Sequence, residues 1–192
     1  IHWLARPHIF SMLLMLIWYI VLDDYQSKKK NRLYLLPLIM LLWVNLHGGF
    51  IAGFLLLAIF ISGYILSIVF SGKTELIRAT KNLSIIFIIC GASALINPYG
   101  YEILIFPFSL VGNKYIMDNV NEWLSPNFHE NMKYEYTLLL LLVLIGASAS
   151  RLTAVEGLLI LAFTHMSLYS VRYVPLFGII VSPLIARRAE EI

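Results

Sequence analysis

Seven long apolar runs divide this chain of 192 residues, and no other sequence feature restricts its fold as strongly. They cover residues 8–22, 33–46, 50–70, 82–96, 136–149, 152–170 and 173–186. Only 13% of the residues are charged and the mean hydropathy is +0.82, whereas an ordinary soluble domain carries about 25% charged residues. Because so few groups are suited to face water, the sequence predicts an integral membrane protein. Its predicted partner is therefore the lipid bilayer.

The lengths of these runs decide the predicted fold class. A helix needs about 20 residues to cross the hydrocarbon core of a bilayer, and runs 50–70 and 152–170 meet that length while the other five are shorter. Backbone polar groups in lipid must be hydrogen bonded internally, so continuous apolar runs cross as helices. We predict an all-α polytopic transmembrane helical bundle of about seven spans, with 1–192 as a single transmembrane domain. The chain begins with Ile, and we expect it to be a segment of a longer protein.

Basic residues are distributed unevenly between the two ends of the predicted spans. If all seven runs cross, ten Lys and Arg residues lie on one side and four lie on the other. The positive-inside rule places the more basic side in the cytoplasm, so we predict the N-terminus outside and the C-terminus inside. Because these cations follow the ends of apolar runs and form no stripe, we interpret them as topology anchors and expect no nucleic-acid partner.

Polar residues other than these anchors gather at the predicted outer face. All five histidines fall there, together with the longest polar connection, 112–135. Residues 101–111, YEILIFPFSLV, are apolar but too few to span, and we predict a short helix lying in the outer interface. A re-entrant segment is the alternative. Residues 97–135 then form an outer-face loop and interfacial helix within the domain, and this face is predicted to be the functional one.

Two of the short runs end in the same pattern, Asn-x-x-Gly, at Asn45 to Gly48 and at Asn97 to Gly100. Asn and Gly suit helix C-termini because they tolerate the left-handed conformation that satisfies the last carbonyls. One interpretation ends the helix beneath the outer surface and leaves His47 facing a cavity. The other is a plain helix cap with His47 at headgroup level. In both, we expect Gly48→Val to disturb the turn.

Two arginines lie on the predicted outer face close to histidines. Arg6 precedes His8 at the start of the first span, and Arg172 follows His165 by about two helical turns. The guanidinium fork suits phosphate geometry, so these residues would form a site for a lipid phosphate or pyrophosphate. The alternative for each arginine is that it extends to the headgroups as an anchor.

Glu122 precedes Trp123 in the long outer connection. A carboxylate beside an aromatic ring is typical of carbohydrate sites, and a solvated Glu with an interfacial Trp is the alternative. The histidines show no H-E-x-x-H pattern and no closely spaced pair, so we predict no metal site.

Five motifs in this order resemble a group of bacterial polytopic membrane proteins. They are ARPHIFS, WVNLHGGF, INPYGYEILIFP, NEWLSPNFH and VRYVPLF, and they cover nearly all of the chain. The group is similar to the membrane half of GT-C glycosyltransferases, the polyprenyl-phosphate-sugar-dependent, dolichyl-phosphate-mannose-mannosyltransferase-like class. The resemblance implies a protein of the bacterial cytoplasmic (inner) membrane whose partner is a polyprenyl-phosphate-linked sugar.

In that class an acceptor hydroxyl attacks the anomeric carbon and the lipid phosphate departs. The resemblance implies a catalytic acidic residue in an early outer loop, which we expect upstream of this segment, while Glu122 is the candidate within it. Arginine or a divalent metal would stabilise the departing charge, and no pattern here indicates the metal. The candidate substrate-binding residues are Arg6, His8, Asn45, His47, Asn97, Tyr99, Trp123, His165 and Arg172. A transporter of a lipid-linked or small anionic substrate and a non-catalytic assembly subunit are the alternatives.

Overall fold

The computed structural model describes residues 7–27, 30–129, 132–148 and 150–190, of which Met132 is described for its backbone alone. Within these ranges the regular structure is helical and contains no strand. The chain divides into two compact units, Ile1–Gly112 and Asn113–Ile192. The predicted all-α fold is therefore confirmed.

The first unit contains five described helices. They are α1 (His8–Gln26), α2 (Leu35–Leu46), α3 (Ile51–Ser71), α4 (Ile77–Ala94) and α5 (Glu102–Val111). Short 3-10 turns at Gly48–Phe50 and Thr74–Leu76 lead directly into α3 and α4. The short helix that the sequence predicts within 101–111 is present as α5.

The second unit contains four described helices. They are α6 (Lys114–Asn119), α7 (Met132–Ala147), α8 (Ala154–Tyr169) and α9 (Val174–Ala189). Two further 3-10 turns lie at Asn121–Trp123 and Val171–Tyr173. Each of the seven apolar runs of the sequence thus forms a helix.

Three helices in the described part of the chain are long and apolar enough to cross a membrane. They are His8–Gln26, Gly48–Ser71 and Thr74–Ala94, with 19, 24 and 21 residues when the 3-10 turns are counted with the helices that they begin. These lengths agree with the roughly 20 residues that a bilayer requires. The structure therefore indicates a membrane protein.

One predicted length is wrong. Run 152–170 was expected to be a full span, but its helix has 16 residues. Thr153 caps the start, because its side chain accepts the Glu156 N–H and Glu156 accepts the Thr153 N–H in return. At the other end Ser170 is extended, with φ −149° and ψ 134°. Apolar content alone did not reveal where these polar residues end the helix.

The core of the first unit is built around two tryptophans. Trp18 of α1 and Trp43 of α2 are fully buried and meet edge to face, with ring centroids 6.0 Å apart. Gly53 of α3 faces both rings, since a Cβ there would lie 3.2 Å from Trp18 and 3.3 Å from Trp43. The glycine thus allows α3 to approach the pair closely, and the edge-to-face contact contributes about 0.5–1.5 kcal/mol beyond the buried area.

Helix α1 also carries large apolar side chains on an exposed face. Phe10, Leu13, Ile17 and Ile20 are each roughly a third to a half exposed, and their spacing of three or four residues places them along one face of the helix. A continuous apolar face of this kind is unfavourable in water. It suits contact with lipid chains.

The second unit contains a buried ion pair. Arg188 near the end of α9 lies with its Nη2 2.8 Å from the Glu156 carboxylate of α8, and both side chains are almost fully buried. The same guanidinium donates hydrogen bonds to two oxygens of Ser150 in the α7–α8 connection, the backbone carbonyl at 3.1 Å and the side-chain hydroxyl. From the sequence, Arg188 is one of the basic residues interpreted as topology anchors. The structure shows that it also joins the ends of α8 and α9.

The left-handed conformation predicted at the first Asn-x-x-Gly pattern is wrong. Helix α2 ends at Leu46, and His47 follows in an extended conformation with φ −163° and ψ 141°. The described glycines with positive φ are Gly72 and Gly100, with φ 63° and 55°, and Gly48 is not among them. A Cβ added to Gly48 would meet no atom within 4 Å, so the expected effect of Gly48→Val does not come from a clash at Cβ and stays a prediction.

Candidate functional site

The two 3-10 turns of the second unit lie against each other. Ser170 Oγ donates a hydrogen bond to the Glu122 carbonyl at 2.9 Å, and the Val171 N–H donates to the Leu124 carbonyl at 2.9 Å. These two contacts join residues that are 47 and 48 positions apart in the sequence. They fix the long polar connection beside the start of α9.

This junction brings together an arginine and two aromatic rings, which we call the arginine–tryptophan cluster (Trp123, Arg172 and Tyr173). The guanidinium carbon of Arg172 lies 4.7 Å from the centroid of the buried Trp123 ring. Tyr173 meets the same indole edge to face at 6.1 Å. A cation–π contact of this kind is worth about 0.5–2 kcal/mol. The guanidinium is therefore held against the indole, and its N–H donors point outward within the plane of the group.

Tyr173 remains neutral beside this cation. Burial raises the pKa of the Tyr173 phenol above its ordinary value of 10.0, the Arg172 charge opposes that rise, and Tyr169 adds to it. Burial is the largest of the three effects because the phenolate loses hydration. At neutral pH the cluster thus contains one cation and a protonated hydroxyl.

Two other predicted residues of this unit have different surroundings. Glu122 is partly buried and its carbonyl accepts the Ser170 hydroxyl, while the role of its carboxylate stays a prediction. His165 is exposed on α8 and its ring stacks against Tyr169 with centroids 6.5 Å apart. Neither a hydrogen bond nor a ring contact joins His165 to Arg172 among the described residues. The structure therefore brings Trp123 and Arg172 together and does not add His165 to them.

A second arrangement lies in the first unit, and we call it the serine–histidine cluster (Ser11, Trp43, His47 and Gly49). The buried Trp43 indole N–H donates to Ser11 Oγ at 2.8 Å. Ser11 Oγ lies 2.7 Å from His47 Nδ1, and the Gly49 N–H donates to that nitrogen at 3.0 Å. These contacts connect α1, α2 and the turn that precedes α3.

The hydrogen bonds determine the tautomer of His47. A backbone N–H is always a donor, so the bond from Gly49 requires a lone pair on His47 Nδ1. Ser11 then also donates to Nδ1, and its oxygen accepts the Trp43 N–H. The neutral imidazole consequently carries its hydrogen on Nε2. This arrangement explains why His47 and Gly49 interrupt the apolar sequence between α2 and α3.

Asn45 and Asn97 have structural roles. Asn45 Nδ2 donates to the Leu41 carbonyl at 2.8 Å and to the Ile96 carbonyl at 3.0 Å, so it joins α2 to the segment after α4. Asn97 Oδ1 accepts the Tyr99 N–H at 2.7 Å, which is a local Asx turn. Both amides thus satisfy backbone groups, and the Tyr99 side chain is exposed.

The candidate residues are distributed over both units. His8, the first residue of α1, is partly buried. Arg6 lies outside the described residues. The first unit contains His8, Asn45, His47, Asn97 and Tyr99, and the second contains Glu122, Trp123, His165 and Arg172. Within the described ranges, no group of three or more His, Cys, Asp or Glu residues is arranged to hold a metal ion.

Three residues of the two clusters and their junction were not predicted from the sequence: Ser11, Ser170 and Tyr173. Ser11 and Ser170 are buried polar residues, and a buried hydroxyl in an apolar environment needs a partner. A polar residue inside the first apolar run was the one available signal for Ser11. Its partners are 32 and 36 residues away, and local pattern does not identify contacts at that separation.

No family model, curated protein or solved structure matches this chain at a significant level. Functional inference therefore depends on the geometry of the two clusters and on the motifs of the sequence.

Proposed function

We propose that this chain is part of a membrane-embedded, GT-C-like glycosyltransferase that binds a polyprenyl-phosphate-linked sugar at the outer face of the bacterial cytoplasmic membrane. The arginine–tryptophan cluster is its binding site for the donor phosphate and the adjoining sugar. The observation that carries this proposal is the position of the Arg172 guanidinium over the Trp123 indole at 4.7 Å.

The proposed topology has seven spans, with the N-terminus outside. Three helices have the length and hydropathy of spans, and the remaining apolar runs are also helical. The Lys and Arg residues divide ten to four between the two sides in this arrangement, as the positive-inside rule requires. Helix α5, with Phe106 and Phe108 exposed, is proposed to lie in the outer interface.

The chemistry of the arginine–tryptophan cluster suits a sugar phosphate. The guanidinium donates paired N–H groups to phosphate oxygens. Its contact with the indole restricts the Arg172 side chain before the ligand binds, so less conformational entropy is lost on binding. Tyr173 supplies a protonated hydroxyl next to it, because burial raises the pKa of that phenol. A neighbouring aromatic face offers an apolar surface for the C–H groups of a sugar ring.

In the proposed reaction an acceptor oxygen bonds to the anomeric carbon while the bond from that carbon to the lipid phosphate oxygen breaks. Arg172 stabilises the negative charge that develops on the departing phosphate. A carboxylate takes the acceptor proton, and Glu122, adjacent to Trp123, is the candidate in this chain. His8, His47 and Arg6, all in the part of the sequence assigned to the first unit, stay predicted outer-face residues.

The experiment is binding of a short-chain polyprenyl phosphate to the purified protein in neutral detergent. A charge-assisted hydrogen bond contributes roughly 1.5–3 kcal/mol, so Arg172→Ala is expected to weaken binding by about 10- to 100-fold. Arg172→Lys should recover part of this loss, because an ammonium lacks the planar fork. Arg6→Ala tests the second arginine in the same assay.

Arg151→Ala is the matched control, since Arg151 is an exposed arginine of the same unit on the proposed cytoplasmic side. It should bind with the affinity of the wild type. Equal affinities of wild type, Arg172→Ala and Arg6→Ala for the polyprenyl phosphate would exclude both arginines from phosphate binding. That result would favour the alternative interpretation, in which both arginines are headgroup anchors. Specific binding without transfer to any acceptor would favour the transporter or assembly alternatives.

A further inference from the structure

A cavity of about 390 Å³ whose lining includes charged and polar residues lies in the first unit, where the C-terminal end of α1 approaches the start of α4. Its lining combines two connections that are distant in sequence. Lys30 and Asn31 come from the α1–α2 connection, and Glu75 and Arg78 come from the turn and first residues that lead into α4. The serine–histidine cluster involves the opposite end of α1, so this cavity is a separate feature.

The cavity wall includes one fixed polar pair. Asn82 Nδ2 donates to the Tyr25 hydroxyl oxygen at 3.1 Å, and both residues line the cavity. The Tyr25 hydroxyl therefore accepts from Asn82 and keeps its own hydrogen for donation. This pair places an O–H donor in the wall at the end of α1.

The charges of the lining favour an anion. Lys30 and Arg78 are exposed cations and Glu75 is the single carboxylate among these lining residues, so two positive charges face one negative charge. In the part of the chain that the structure describes, neither Lys30 nor Arg78 takes part in an ion pair. Within the described ranges, no carboxylate thus forms a direct ion pair with either cation of the cavity.

The position along the helices places the cavity at a membrane surface. Most lining residues lie in the last turn of the candidate span His8–Gln26, just after it, or in the first turns of the candidate span Thr74–Ala94. Phosphate headgroups lie at this level of a bilayer, and basic pockets between membrane helices bind acidic headgroups. A cavity of this volume accommodates a phosphate ester together with part of its glycerol.

We infer that this cavity binds a phosphate ester, with Arg78 and Lys30 as its cationic ligands and the Tyr25–Asn82 pair as its polar wall. The site lies on the basic side of the protein and does not depend on the proposed glycosyltransferase function. Its ligand has the chemistry of an anionic phospholipid headgroup or of a soluble phosphate ester. The negative charge of Glu75 repels an anionic ligand and so lowers the affinity of the cavity for it.

The experiment measures dissociation constants by calorimetry for the full chain in neutral detergent at physiological ionic strength. The probes are dioctanoyl phosphatidic acid, dioctanoylglycerol without the phosphate, and glycerol phosphate without the acyl chains. The variants are Arg78→Gln and Lys30→Gln in the cavity, Glu75→Gln for the opposing charge, and Lys73→Gln and Lys81→Gln as controls. Both control residues are exposed cations of the same region that do not line the cavity.

Loss of one charge-assisted hydrogen bond should weaken phosphatidic acid binding by about 10-fold in Arg78→Gln or Lys30→Gln. Glu75→Gln should strengthen binding, and the controls should change it by less than about twofold because salt screens charges outside the cavity. Binding of phosphatidic acid alone identifies a lipid headgroup, and equal binding of glycerol phosphate identifies a soluble ester. Equal losses in cavity and control variants, or equal binding of dioctanoylglycerol, would overturn the inference.

Discussion

Gly49→Ala is predicted to destabilise the protein, whereas Gly48→Ala is predicted to be tolerated. A Cβ at Gly49 would lie 2.5 Å from Ser11 Oγ, a separation that real Cβ atoms essentially never show, and 3.0 Å from His47 Nδ1, which is tighter than most real contacts. A Cβ at Gly48 would meet nothing within 4 Å. The two substitutions add the same methyl group to adjacent residues, so each is the control for the other.

The expected magnitude follows from the contacts that Gly49→Ala would displace. Ser11 would have to move, which would break its bonds with Trp43 and with His47. Overpacking costs about 1–3 kcal/mol and each lost hydrogen bond costs about 1 kcal/mol, so with partial relaxation we expect about 2–4 kcal/mol. For a chain of this size that corresponds to a decrease of about 4–16 °C in melting temperature.

The assay is thermal unfolding in detergent, followed by tryptophan fluorescence, which also reports on Trp43. The double variant Ser11→Ala with Gly49→Ala completes a cycle, because removing Oγ relieves the closest contact. Its destabilisation should be smaller than the sum of the two single effects by about 1 kcal/mol. Equal melting temperatures for Gly48→Ala and Gly49→Ala, or strict additivity in the cycle, would refute this account of the turn.

Three further predictions concern other parts of the chain. Arg188→Met should lower the free energy of unfolding by about 3–5 kcal/mol, because it leaves the buried Glu156 carboxylate without its ion pair. Thermal unfolding of Arg188→Met, compared with that of Arg187→Met, measures this effect. The pKa of Tyr173 lies above 10.0 in the folded protein, so its phenolate absorbance should appear at higher pH than that of free tyrosine. The free energy of unfolding should fall as pH rises through that interval, because the unfolded state loses this proton first. Arg172→Ala should raise the pKa of Tyr173 further, and an unchanged titration in that variant would contradict the proximity of the Arg172 charge. Lys73→Cys in intact cells should react with an impermeant maleimide only after permeabilisation, and rapid labelling from outside would contradict the proposed orientation.

The helical architecture was predictable because it depends on local composition. Every apolar run forms a helix, and even the short segment 101–111 was identified correctly as helical. Helix ends were less predictable, since they depend on single polar residues. Thr153 and Glu156 form a capping box that shortens α8, and the T-x-x-E pattern at 153–156 was present in the sequence but was obscured by the surrounding apolar run.

The candidate site was predictable only as a set of residues and not as a set of contacts. Trp123 and Arg172 were both assigned to the outer-face site, and the structure shows them in contact. That contact depends on backbone pairing between two turns far apart in sequence, which periodicity does not encode. The same limitation applies to Gly48 and Gly49. Which of them excludes a side chain depends on Ser11, which lies on a different helix and contacts only Gly49.

The most direct test of the proposed function compares polyprenyl phosphate with the uncharged polyprenol of the same chain length. The ratio of their dissociation constants isolates recognition of the phosphate from partition of the hydrocarbon chain into detergent. We expect the wild type to prefer the phosphate by about 10-fold or more, and Arg172→Ala to lose most of that preference while its affinity for polyprenol stays the same. An undiminished preference in Arg172→Ala would contradict the assignment of the arginine–tryptophan cluster as the phosphate site.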